Sequence, residues 1–261
     1  VSPLLVCACV AVSGLSAAWW VVKRAGDGGW TDIFWSLTVG LAGGVAALWP
    51  APDALRERQI LVALLIGVWA VRLGGHIAVR TFRAETPDPR YEAFRQEWGG
   101  WGLKAWAFLM IQAATVLPLA MTLRAAAVRP EASLGWQDAA AVVVVLVSLA
   151  GEGLADRQMA AFRANPANRG KVADSGLWAW SRHPNYFFEW TFWLAWPVMA
   201  LAPGYAFGWA ALLAPVQMWW LLNHVSGVPM LEAQMLKSRP EAYRAYQARV
   251  SRFFPLPPRR R

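Results

Sequence analysis

The densest run of side chains able to do chemistry is Trp180-Ser-Arg-His-Pro-Asn-Tyr-Phe-Phe-Glu189. Pro184 suits the first turn of a helix, so Ser181 or His183 stands near its cap. Arg182, Asn185, Tyr186 and Glu189 then recur at steps of three and four, along one helical face. A helix N-terminus with an Arg and an Asn beside it is a natural anion site; the same residues also suit a structural capping network. A second group holds Glu152, Asp156, Arg163, Asn165, Asn168, Arg169 and Lys171, followed by Asp174-Ser-Gly-Leu-Trp178. Residues 165–170, Asn-Pro-Ala-Asn-Arg-Gly, are turn chemistry, which a solvated loop explains as well as binding does. A third group, Arg72, His76, Arg80 and Arg83, also falls on one face, where long basic side chains can snorkel towards water. Near the C-terminus Asn223, His224 and Glu232 precede Tyr243, Tyr246 and Arg249, which recur every third residue.

The elements that must position these groups follow from composition. Of 261 residues 57% are hydrophobic and 16% charged, 18 are Trp, and the mean hydropathy is +0.32. Soluble domains hold roughly 45–50% apolar and about 25% charged residues, and so apolar a chain does not stay disordered. An all-α polytopic membrane protein remains. A hydrocarbon core about 30 Å thick needs about 20 apolar residues per helix. Seven stretches qualify, at 3–22, 31–50, 59–79, 103–123, 136–155, 186–202 and 205–223, forming one membrane-embedded domain over 1–261. The second is softened by Gly40, Gly43 and Gly44 and the sixth by Pro197, which neighbouring helices tolerate. Of the 25 Lys and Arg, 20 fall in the first, third and fifth connections and the tail. Four fall on the opposite side, and Arg72 lies within a span. Basic residues mark the cytoplasmic side, so the N-terminus is expected outside and the C-terminus in the cytoplasm. The first span lacks a basic flank before it and does not read as a signal peptide. The tail, 232–261, is amphipathic: it either lies on the membrane surface or folds back as a wall of a cytoplasmic pocket, and its terminal Arg259-Arg-Arg suits lipid headgroups. Cys7 and Cys9 point to different helical faces, and three separated His give no metal-ligand spacing. No metal and no nucleic-acid partner are expected. With no GxGxxG after a strand and no P-loop, a nucleotide would not sit on a soluble Rossmann domain but could sit in the cytoplasmic mouth of the bundle, where Arg80, Arg83, the five basic residues of the fifth connection (Arg182 among them) and the tail supply positive charge.

Gly176-Leu-Trp178 followed by Ser-Arg-His-Pro-Asn-Tyr-Phe-x-Glu189 resembles the steroid 5α-reductase (3-oxo-5α-steroid 4-dehydrogenase) family and its bacterial relatives. So do Asp32-Ile-Phe-Trp35, Arg72-Leu-Gly-Gly-His76, Phe162-Arg-Ala-Asn-Pro-Ala-Asn-Arg169, and Leu231-Glu232 with Tyr243-x-x-Tyr246. The resemblance implies a seven-helix enzyme, here of the bacterial inner membrane, that holds NADPH at its cytosolic side. It would reduce the C4–C5 double bond of a 3-oxo-Δ4 steroid or a similar lipophilic enone reaching it from the lipid. The cofactor positions it implies are Asp156, Arg163, Asn168, Arg169, Trp178, His183, Asn185, Tyr186 and Glu189, with Tyr246 and Arg249. Where the family commonly has an Asn one turn before Asp156, this chain has Glu152. The carbonyl-activating acid falls on Asp32. The tyrosine that usually assists it falls near Trp69, so His76 stands in. A carboxyl among lipid-like walls resists ionisation, so Asp32 is expected to keep its proton and donate it to the 3-oxo oxygen. A monomer is expected.

A rival enzyme class is the membrane methyltransferase using S-adenosylmethionine, since isoprenylcysteine carboxyl methyltransferases carry a related Arg-His-Pro-x-Tyr. Its cofactor has no phosphate and bears a sulfonium cation, so it gains less from a basic mouth. A transporter or sterol-binding scaffold fits less well, because no inverted repeat is visible and the polar residues crowd one side instead of the midplane.

Overall fold

The computed structural model describes residues 2–84 and 86–259; Arg260 and Arg261 of the terminal arginine run lie outside the described residues. Among the described residues ten α-helices follow in chain order: α1 Pro3–Ala25, α2 Trp30–Leu48, α3 Arg56–Arg83, α4 Pro89–Trp98, α5 Leu103–Ala127, α6 Trp136–Ala164, α7 Pro184–Ala200, α8 Leu213–Trp220, α9 Val228–Ser238 and α10 Pro240–Arg249. Among the described residues there is no strand, only one isolated bridge between Ser181 and Ser251. The chain is thus all-helical, as its composition predicts, and α1, α2, α3, α5 and α6 are long and apolar enough to cross a membrane. These five cover the first five predicted spans.

The last two predicted spans take other forms. Helix α7 has 17 residues and carries Pro197 inside it, giving a length of about 25 Å. The stretch 205–223 is composite: a 3-10 helix, Ala206–Leu212, leads into the eight-residue α8 and then a π-turn, Leu221–Val225. The tail is likewise segmented. Pro240 cannot continue the preceding helix, so α9 and α10 meet at Arg239. From Ser251 to Arg259 the chain runs without helix, its Leu256 amide donating to the Trp180 carbonyl.

Two compact units form. The first takes the chain up to Ala139 together with Trp196–Ala214; the second takes Ala140–Ala195 and the chain from Pro215 onward. In the first, α2 packs against α1, α3 and α5. Small residues permit this: a Cβ on Gly40 would stand 2.3 Å from that of Ala70, so only glycine allows α2 and α3 so close. Arg58, Arg129 and Asp138 are almost wholly buried. Arg58 meets Asp138 at 2.7 Å and donates to the Arg129 carbonyl at 2.8 Å, while Arg129 donates to Asp138 at 3.1 Å and to the Met199 carbonyl. Burying such charges is tolerable only because they are paired and multiply hydrogen-bonded, even though Arg129 Nε itself has no hydrogen-bond partner among the described residues.

In the second unit Tyr243, Tyr246 and Val250 form a small core with Val172, Met235 and Leu236 packed on it. The aromatic face of α10 is therefore turned inward, onto its own unit.

Candidate functional site

The second unit assembles most of the residues that its sequence singles out. The segment 175–183 is fixed onto α6 and α10: the Trp178 indole donates to the Ala155 carbonyl at 3.0 Å, the Leu177 amide to Gln158 at 2.9 Å, and the Tyr246 hydroxyl to the Trp178 carbonyl at 2.6 Å. Trp178, His183 and Tyr246 are buried. The hub is Glu232 on α9. One of its oxygens accepts from Arg182 Nε at 2.7 Å and Tyr243 at 3.2 Å and lies 3.2 Å from His183 Nε2; the other accepts from Gln247 at 3.0 Å. Arg182 also donates to the Val250 carbonyl at 2.9 Å. The sequence marks Glu232 as preceding the tail and, with Leu231, as part of the family resemblance, but gives it no partner and no role. Its donors lie up to 50 residues away, a closure that spacing along the chain does not reveal.

Electrostatics follow from this packing. Burial alone would raise the Glu232 carboxyl, but hydrogen bonds from His183 and Arg182, joined by the guanidinium charge, bring it down to about 2. Burial holds His183 below its ordinary value despite the carboxylate beside it. The imidazole is therefore neutral near pH 7 and acts on Glu232 through its hydrogen bond more than through charge. Burial also raises the Tyr243 and Tyr246 phenols, the former helped by the Glu232 charge.

Around this hub, Asn185 and Tyr186 are half-buried on the first turn of α7, and the Tyr186 ring stacks on His183 at 5.8 Å between centroids. Glu189 is buried one turn further and accepts from the Trp193 indole at 3.0 Å. Asp156 is half-buried on α6, and Arg163 is exposed near its end. The Asn168 amide braces its own loop by donating to the Phe162 carbonyl at 2.9 Å. Arg249 pairs with Asp174 at 3.1 Å, whereas Arg169 and Lys171 are exposed and make no ion pair among the described residues.

The first unit holds Asp32, in the first turn of α2. The sequence predicts it as a donor, but both of its oxygens accept here, one from Arg90 Nη2 at 2.8 Å and the other from the Tyr91 hydroxyl at 2.5 Å. Both partners lie at the start of α4, a helix outside the predicted spans. Asp88-Pro89, a cap followed by proline, and Gly99 in left-handed geometry signal that helix, yet its pairing across 59 residues leaves no local trace. Burial raises the Tyr91 phenol well above its usual range, the Asp32 charge adding to this and Arg90 opposing it, so Tyr91 keeps its proton. His76, the predicted helper of Asp32, is exposed on α3, as are Arg80 and Arg83 at its end; Arg80 lies 3.8 Å from Asp88. Also in this unit, an apolar concavity lined by Leu201–Ala206 and Trp209 offers no ionisable group except Tyr205.

A family model described as "Protein of unknown function (DUF1295)" matches residues 18–250. No curated protein and no solved structure matches the chain.

Proposed function

The chain belongs to the DUF1295 family, and from its two residue sets we propose that it is an NADPH-dependent reductase of lipophilic enones, acting on the C4–C5 double bond of 3-oxo-Δ4 steroids or compounds like them. The observation that carries this reading is the hydrogen bond of Tyr91 to Asp32. It holds a protonated phenol, the kind of donor an enone oxygen needs while negative charge gathers on it. Asp32 anchors the phenol by accepting, and His76 remains a second candidate contact to the carbonyl. When bound, NADPH supplies a hydride to C5. Tyr91 would stabilise the enolate oxygen by turning its one hydroxyl hydrogen from Asp32 to that oxygen, Arg90 staying on the carboxylate, and C4 would take a proton from water as the enolate returns to the ketone.

The second unit is the proposed cofactor holder. Its donor set fits a phosphorylated dinucleotide: Arg169 and Lys171 lack counter-charges because Asp174, the acid of the same loop, is engaged by Arg249. Half-buried Asn185 makes no side-chain hydrogen bond among the described residues, so it can serve an amide or a ribose, with Tyr186, Asp156 and Arg163 as further contacts. Arg182, His183, Trp178 and Tyr246 act as scaffold, because each already bonds within the chain. In the same proposal α7 and the composite stretch 205–223 are spans six and seven of a monomer in a bacterial inner membrane, with the N-terminus outside.

The test is anaerobic NADPH oxidation by purified protein with progesterone or testosterone, with product identified by mass. A product two hydrogens heavier supports the reading. Thermal stabilisation by S-adenosylmethionine and not by NADPH would reverse it in favour of a methyltransferase.

A further inference from the structure

Tyr91 is useful only if its hydroxyl is held at Asp32, and α4 cannot ensure that alone. It has ten residues, and helices so short are marginal in water without tertiary support. Two features of the first unit supply the support.

Arg90 is a bridge. Its backbone amide donates to the Asp88 cap at 3.0 Å, its Nε reaches the same carboxylate at 3.0 Å, and its Nη2 lies 2.7 Å from Asp88 and 2.8 Å from Asp32. A single guanidinium thereby joins the N-terminus of α4 to the first turn of α2. Planar, multiply donating geometry of this kind is particular to arginine. Gly28, in the turn between α1 and α2, is a seat. A Cβ there would stand 2.2 Å from the Tyr91 Cβ and 2.5 Å from its Cγ, with the Trp101 ring at 2.9 Å. Those Tyr91 atoms lie next to the backbone and cannot swing aside, so any side chain at position 28 must move Tyr91 itself. Gly28 has no left-handed backbone; space alone demands glycine. At its other end α4 is held by Phe94, stacked on Trp98 at 4.9 Å and packed against Phe108 of α5 at 5.5 Å. Tyr91 thus sits at the one end whose placement depends on Arg90 and Gly28.

We propose that Arg90 and Gly28 are positioning residues that set the Tyr91 hydroxyl on Asp32 and thereby govern the rate of carbonyl activation, an inference that rests on the reductase reading above. Misplacing a reacting group by about 1 Å can cost about 100-fold in rate. Arg90→Gln and Gly28→Ala are expected to lower kcat about 10- to 100-fold with NADPH affinity unchanged. Their effect should vanish once the hydroxyl is gone: in a Tyr91→Phe background, adding either substitution should leave kcat where Tyr91→Phe alone puts it. Losses that multiply in that background would overturn the proposal, because they would mean a general structural role. Hydrogen exchange at the amides of 91–94 gives a readout independent of turnover, expected to quicken in both variants; unchanged exchange in both overturns the positioning role whatever the activity. Wild-type protein inert towards every enone would sink the reductase reading, and the exchange result would still decide whether these residues place Tyr91.

Discussion

Replacing Tyr91 by Phe removes one hydroxyl and leaves the ring on its Gly28 seat. Loss of one donor to a developing oxyanion costs about 10²–10³ in rate, so Tyr91→Phe is expected to lower kcat by that factor while NADPH binding, measured by titration, is kept. A loss no larger than threefold would remove Tyr91 from the chemistry. Glu232 gives a prediction of another kind. Its carboxyl titrates near 4.5 in an unfolded chain and at about 2 in the folded one. Its stabilising contribution is therefore complete above 4.5 and disappears as pH falls towards 2. His183, held below 6.5 by burial, works in the same direction, since acid must charge a buried imidazole. Thermal melting in detergent should show a loss on acidification that begins below pH 6.5 and steepens below 4.5. Glu232→Gln should melt lower at pH 7 and lose the steeper part; an unchanged acid limb would show that the hub does not hold the unit. Asp32 and His183 stand out in the sequence by type and position. Tyr91 and Glu232 do not, because their importance comes from partners 59 and up to 50 residues distant.

At the scale of elements, the five long apolar helices are legible because twenty consecutive apolar residues have few alternatives to a span. The stretch 205–223 is also mostly apolar, yet it forms a 3-10 helix, a short α-helix and a π-turn; hydropathy registers transfer to an apolar medium and not the hydrogen-bond register of the backbone. The tail shows the complementary case. Its tyrosine period predicts one buried face, and both tyrosines are buried, but which surface receives that face is decided by the Trp178 carbonyl and Glu232. The junction of α3, the 128–135 connection and α6 depends on Asp138, which answers two buried guanidiniums. Breaking a buried ion pair by deleting one partner costs about 3–5 kcal/mol. Asp138→Asn is expected to destabilise the protein by about that much in chemical unfolding, and a change below 1 kcal/mol would show the cluster to be dispensable.

For the molecule as a whole, the uneven distribution of Lys and Arg is a statement about orientation. In a chain whose Cys7 and Cys9 have been replaced, Asp53→Cys is expected to react with a membrane-impermeant thiol reagent applied to whole cells, whereas Ser175→Cys reacts only after lysis. The reverse pattern would invert the topology and put the proposed cofactor residues on the side that lacks NADPH. Composition and charge asymmetry by themselves determined the class of this protein, an all-helical chain for a membrane, because transfer free energies depend on residue type and add along the sequence. The same local information marked the Arg182–Glu189 run and Asp32 as places where polar groups need a reason. Only tertiary structure decided that Asp32 accepts and Tyr91 donates, and that Arg182 and His183 bind Glu232. A hydrogen bond is fixed by distances of a few tenths of an ångström between groups that the chain itself leaves dozens of residues apart.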